Sequence, residues 1–171
     1  LSERADMWSA VSEDGGLQSG KQGMKLDKIV LYNKEDLTNG DGIIEPIQTV
    51  HFEYDYSLCK GFPGNNNAGT DNGKLTLKRL YTTYGTSQKE RLNAYQFNYD
   101  GANYPYQGNK VDRWGIFKAA DCIQNNNVDF PFAEQFTVNR DAAVSAWSLS
   151  EVLLPSGGKF NVTYESDDYA Y

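Results

Sequence analysis

The chain has 171 residues, 39% hydrophobic and 13% aromatic, with a formal net charge of −7 and a pI of about 4.7. That length accommodates one core and is short for two. The carboxylate surplus argues against nucleic acid or an anionic membrane as a partner, since both reward clustered Lys and Arg. No apolar run reaches the roughly 18 residues of a spanning helix, so membrane insertion is not expected. No basic-then-apolar signal pattern follows Leu1, so an export signal would lie upstream.

Residues 1–23 carry Gly15, Gly16, Gly20 and Gly23 among scattered polar groups. This is turn chemistry, and it predicts a flexible arm with a short helix over residues 3–11 and Trp8 as its large anchor. Residues 24–171 read as a single β-rich domain. In 25–32, Leu26, Val30 and Tyr32 fall on one parity and Ile29 and Leu31 on the other. A strand apolar on both faces is predicted to be central in its sheet.

Residues 33–46 read as a loop, and 47–58 as the clearest strand, with Val50, Phe52, Tyr54 and Tyr56 on a buried face and Thr49, His51, Glu53 and Asp55 on a wet one. A Gly- and Asn-rich loop fills 60–73. In 74–84 the inward parity switches near Lys78-Arg79, for which a β-bulge is the simplest cause. After a turn at 85–90, residues 91–99 return as the second strand of a hairpin. Residues 101–120 and 123–140 read as long connections pinned by aromatics. A second hairpin pairs 146–154 with 159–164 across Pro155-Ser156-Gly157-Gly158, where Pro supplies a fixed φ and Gly a positive one.

Asn39-Gly40-Asp41-Gly42-Ile43-Ile44-Glu45 echoes the centre of a calcium loop and makes Asn39, Asp41 and Glu45 the candidate ligands. Aligning Gly42 with the loop glycine places Leu37 and Gln48 where the first and twelfth ligands belong, so an Asn/Gly/Asp turn competes with calcium. His51 is the one histidine. With no second candidate base a Ser/His/Asp constellation is thin, a zinc site would need Cys59 and Cys122 brought to it by the fold, and a strand-surface histidine is the plainer reading. A Cys59–Cys122 bridge would require an oxidising compartment, the alternative being two buried thiols.

Carboxylates at Glu53 and Asp55, or at Glu165, Asp167 and Asp168, are of the type used in glycoside hydrolysis, and equally of the type found on wet strand faces and turns. Tyr104, Tyr106 and Trp114 are candidates to stack on sugar rings. No phosphate loop, nucleophile elbow or CxxC pair is present.

Several phrases, among them Thr49-Val50-His51-Phe52-Glu53-Tyr54-Asp55-Tyr56-Ser57-Leu58-Cys59, Gly73-Lys74-Leu75-Thr76-Leu77-Lys78, Asp112-Arg113-Trp114-Gly115 and Leu154-Pro155-Ser156-Gly157-Gly158-Lys159, resemble text in very large exported or surface proteins of Bacteroidetes-type bacteria. Some of those are similar to RHS or YD-repeat and insecticidal-toxin shell proteins. The resemblance implies an exported, cell-surface or extracellular, strand-rich scaffold. Tandem Tyr-Asp repeats are absent here, Tyr54-Asp55 and Tyr99-Asp100 being isolated.

The expectation is therefore an all-β or mainly β domain of antiparallel sheets, packed as a sandwich or a spiralling-sheet segment with long loops, and excerpted from a larger chain. Its expected role is a non-catalytic structural or interaction module. Its partners would be other segments of the parent or another protein, and possible glycan partners make a carbohydrate-binding module the alternative. A hydrolase fragment is the third reading.

Overall fold

A computed structural model describes residues 1–10, 17–38, 44–62, 73–99, 103–106, 110, 117 and 143–165. The described chain is mainly β, with two antiparallel sheets. Strands β1 (Ser2–Ala10) and β2 (Leu17–Lys25) form one. The second sheet contains β3 (Lys28–Tyr32), β4 (Pro46–Leu58), β5 (Lys74–Tyr84), β6 (Tyr95–Asn98), β7 (Glu151–Leu153) and β8 (Lys159–Asn161), in that spatial order. Among the described residues its outer strands do not meet to close a barrel. A short helix, α1 (Lys34–Thr38), follows β3, and a 3₁₀ turn at Lys89–Leu92 precedes β6. That turn is why the strand expected over 91–99 starts only at Tyr95.

The β4–β5 ladder is the spine. β4 contributes Thr, Val, Phe, Leu and two Tyr, and β5 three Leu, three Thr and two Tyr, residues that fit a pleated, half-buried surface. Pairing runs from Gln48↔Tyr84 to Glu53↔Arg79, then resumes at Tyr54↔Leu77. Lys78 is thus the extra residue of a bulge, at the parity switch read from the sequence.

Carried across all six strands, the register sorts the side chains onto two faces. One, mainly polar, holds Lys28, Val30, Thr49, His51, Glu53, Arg79, Tyr81, Thr83, Gln96, Asn98, Glu151, Leu153, Lys159 and Asn161. The other, mainly apolar, holds Ile29, Leu31, Gln48, Val50, Phe52, Leu80, Thr82, Tyr84, Tyr95, Phe97, Val152 and Phe160.

Two expectations are overturned here. The face of β4 expected to be wet contains the buried Thr49, backed by buried Tyr81 and Thr83 on β5, while Val50, Phe52, Tyr54 and Tyr56 are only half-buried. The 3₁₀ turn packs against β5, and Arg91 reaches from it to Glu53, covering the polar face. Strand β3, expected to be central, is the sheet's edge, with Ile29 and Leu31 each 53% exposed. Two-sided apolarity marked a strand, but its place in the sheet depends on partners remote in sequence.

The arm expected over residues 1–23, helix included, is instead a strand hairpin. The Arg4 guanidinium donates Nε and Nη2 to the two carboxylate oxygens of Asp6, at 2.9 and 2.6 Å. Side chains two apart share a face in a strand and diverge on a helix, so this fork requires the extended form. Asp6 is buried. Burial, the largest influence on its carboxyl, pushes the pKa up, but the bond and charge from Arg4 outweigh it and leave the pKa lowered. The hairpin is tied to the larger sheet where Ala5 N–H donates to the Tyr56 hydroxyl at 3.0 Å. Ser2 Oγ and Lys25 Nζ both donate to Asp27, at 2.7 and 3.0 Å.

Among the described residues a buried cluster lies at the end of the β4–β5 ladder. Leu58, Cys59, Phe117, Ala143 and Ala146 are buried there. Phe117 lies between Tyr104, stacked at 4.7 Å, and Trp147, tilted at 4.9 Å. Lys74 Nζ sits 5.1 Å from the Phe62 ring centre and 5.0 Å from that of Trp147. Cys59 and Trp147 both hold positive φ, 56° and 60°, a costly conformation for side chains of their kind. The turn at Cys59 is fastened by Asn103, which accepts from the Cys59 N–H and donates to the Ser57 carbonyl.

Gly73 lies where β5 starts against this turn. Its N–H donates to Tyr56 O at 2.8 Å. A Cβ on Gly73 would stand 2.0 Å from Leu58 O and 2.6 Å from Tyr56 O, whereas one on Gly85, at φ +55°, meets nothing. Gly73→Ala is therefore expected to cost about 3 kcal/mol of unfolding free energy, an overpacking effect against backbone. Gly85→Ala should cost about 1 kcal/mol. Urea denaturation of the two variants beside the parent checks the ranking.

Candidate functional site

The polar face carries the chemistry-bearing side chains. Lys28↔His51 and His51↔Tyr81 are cross-strand neighbours, so His51 occupies a fixed position in mid-sheet. Its ring stacks on Tyr81 at 4.6 Å and 9°, and Nε2 lies 2.9 Å from Thr83 Oγ1. Next along β4, Glu53 accepts from Arg79 Nη1 at 2.8 Å and from Arg91 Nη2 at 3.2 Å. Arg79 also donates to Arg91 O at 2.8 Å and lies over the Tyr81 ring. Burial, first, and the Lys28 charge hold the His51 imidazole below its ordinary pKa; Glu53 pulls upward and Arg91 downward. The contact with Thr83 occupies Nε2 of that ring.

On the same face, beside the Lys78 bulge, a groove of about 390 Å³ opens over β6, β7 and β8. It is lined by Lys78, Asn98, Tyr99, Ser150, Glu151 and Asn161. Asn98 Nδ2 donates to Glu151 Oε1 at 2.9 Å, and Lys159 Nζ to Oε2 at 3.1 Å. These two partners, Asn98 first, lower the Glu151 pKa. Tyr99 donates its hydroxyl to Leu77 O at 3.0 Å beneath Lys78 Nζ, which sits 5.4 Å from the ring centre. The groove therefore offers amides, a carboxylate held ionised and an ammonium, a set suited to hydroxyl-rich ligands.

Of the residues singled out from the sequence, His51 and Glu53 lie on this polar face, and the other described ones lie apart from the groove lining. Tyr104 and Tyr106 are half-buried in the aromatic cluster: Tyr104 O accepts from Trp147 Nε1 at 2.8 Å, and Tyr106 meets Phe62 edge-on at 5.2 Å. Trp114, Asn39 and Asp41 lie outside the described residues, and Glu45 is exposed just ahead of β4. Glu165 is exposed, and Asp167 and Asp168 lie outside the described residues. Cys59 is a free, fully buried thiol whose pKa burial raises; Cys122 lies outside the described residues.

Among the described residues no three His, Cys, Asp or Glu side chains gather as a metal site would require. The groove residues escaped the sequence reading because Asn98 and Glu151 are brought together by the β6–β7 pairing alone. The bulge at Lys78 was their one local signal.

No family model, curated protein or solved structure matches this chain.

The chain's single histidine makes its titration readable. A folded-state pKa below the ordinary 6.5 means that the unfolded chain binds the proton more tightly. His51 thus contributes stability that is present above about pH 6.5 and lost as pH falls through its folded value. The carboxylate shifts at Asp6, Asp27 and Glu151 act at lower pH. The urea midpoint should fall between about pH 7 and pH 5, and His51→Gln should flatten that slope. Proton NMR of the imidazole should place its midpoint below 6.5.

Proposed function

We propose that the chain is a non-catalytic structural and interaction module of a large exported bacterial protein, with its six-stranded sheet laid by its apolar face against another layer of protein. The carrying observation is the asymmetry of that sheet. On the apolar face Ile29 and Leu31 are half exposed, Tyr95 is 41% exposed and Phe160 61% exposed. The large apolar side chains buried among the described residues are Leu58, Tyr81 and Phe117. Covering a large apolar side chain is worth about 1.5–3 kcal/mol when complete, so a second layer would add stability that the described chain does not supply to itself. Exposed apolar patches of this kind mark interaction surfaces.

The polar face favours the non-catalytic reading. His51, Glu53, Arg79 and Glu151 are committed to one another or to neighbouring hydroxyls and amides. The buried Cys59 stays protonated.

The groove favours a second reading, a glycan-binding module, in which Asn98, Glu151 and Asn161 would meet sugar hydroxyls. The aromatics first named for that role, Tyr104 and Tyr106, are engaged with Trp147, Phe117 and Phe62. A glycan array with the parent and Glu151→Ala separates the readings: retention of a saccharide that the variant loses favours the glycan module, and silence on the array leaves the structural one.

For the main reading, Tyr95→Lys combined with Phe160→Lys should change the stability of the isolated chain by only about 0.5 kcal/mol each, because both side chains are exposed. The same pair should sharply reduce binding of an apolar-surface dye and the tendency to associate. A parent chain that fails to bind the dye would sink the reading.

A further inference from the structure

Strand β3 forms one edge of the six-stranded sheet. Phe52 N–H donates to Asp27 O at 2.8 Å, and the register Ile29↔Val50 and Leu31↔Gln48 continues from that pair. In an antiparallel ladder bonded and non-bonded pairs alternate. Asp27, Ile29 and Leu31 therefore turn their main-chain groups toward β4, while Lys28, Val30 and Tyr32 turn theirs outward. Among the described residues no strand pairs with that outer side. The segment Lys28-Ile29-Val30-Leu31-Tyr32 has no proline and one charge, at its end. Natural edge strands are commonly protected by proline, bulges or several charges.

The segment is also complementary to itself. Placed antiparallel to a second copy and centred on Val30, the outward-facing residues meet as Lys28 with Tyr32, Val30 with Val30 and Tyr32 with Lys28. Each is a hydrogen-bonded pair. Between them Ile29 faces Leu31 in the non-bonded pairs, where opposite side chains lie closest. Lysine meets an aromatic ring rather than its own like charge. The two-fold axis runs perpendicular to the sheet, so the apolar faces of both copies lie on the same side. Shifting the centre to Lys28 would set the two lysines against each other, and shifting it to Tyr32 would leave little overlap.

We propose that two copies of this chain join β3 to β3 in the antiparallel register centred on Val30, making one continuous twelve-stranded sheet. The proposal deepens the interaction-module reading by naming a second copy as one partner, and it uses the strand edge rather than the apolar face. The contact is short, so the dimer forms reversibly and depends on concentration.

Sedimentation velocity of the full 171-residue chain over a concentration series tests it. The expected result is a monomer–dimer equilibrium that Val30→Pro weakens at least tenfold. The Val30 N–H serves no bond to β4, and proline is tolerated on an outer edge. Amide exchange at Val30 and Tyr32 should slow as concentration rises.

A second route avoids proline. Ile29→Lys should weaken the dimer, and adding Leu31→Glu should restore it, because residue 29 of one copy faces residue 31 of the other. A chain monomeric throughout the series overturns the proposal, as does a dimer indifferent to Val30→Pro and to the charge pair. If association survives those changes but is lost in the Tyr95→Lys and Phe160→Lys variant, self-pairing is overturned and the module reading stands. If the chain binds no apolar-surface dye, the module reading falls, and β3 pairing is judged by sedimentation alone.

Discussion

The ladder between β4 and β5 is the constraint from which the remaining structure takes its place. Its register decides which side chains share a face, and the extra residue at Lys78 changes that assignment partway along. Strand β6 pairs with β5 only at Arg79 and Leu80, beside the bulge. The polar groove opens there, with Lys78 in its lining.

From that register follows a sheet with two unlike faces. On the polar side, potential chemistry has been turned into structure: His51 stacks and hydrogen-bonds, Glu53 holds two guanidinium groups, and Glu151 is held by an amide and an ammonium. Partly buried polar networks add specificity when their members are satisfied. On the apolar side several large side chains are exposed, and the net free energy of such a fold depends on what covers them. One sheet thus combines a polar face that holds itself with an apolar face suited to contact.

The aromatic cluster at the end of the ladder has a different physical role. Cys59 and Trp147 occupy conformations that cost about 1–3 kcal/mol each, and they persist because Asn103 fastens one turn and the Trp147 indole bonds across to Tyr104. The connection through Tyr104 and Tyr106 is therefore pinned, as its aromatics suggested. Those rings act as anchors within the protein, with their faces and edges turned to Phe117 and Phe62.

Local patterns were enough to reveal several strands. Alternation marked β4 and β5, a parity break marked the bulge, and Pro155 with Gly157 marked the turn between β7 and β8. Such patterns misjudged residues 1–23, because glycines that signal turns in isolation are tolerated in a strand whose partner supplies the hydrogen bonds. Tertiary structure alone decided that β3 is an edge, that the histidine face of β4 is the more buried, and that Asn98, Glu151 and Asn161 line one groove. The physical reason is the same in each case. Periodicity records the faces a strand presents, whereas burial and neighbourhood are set by pairing with segments tens of residues away, which no local pattern encodes.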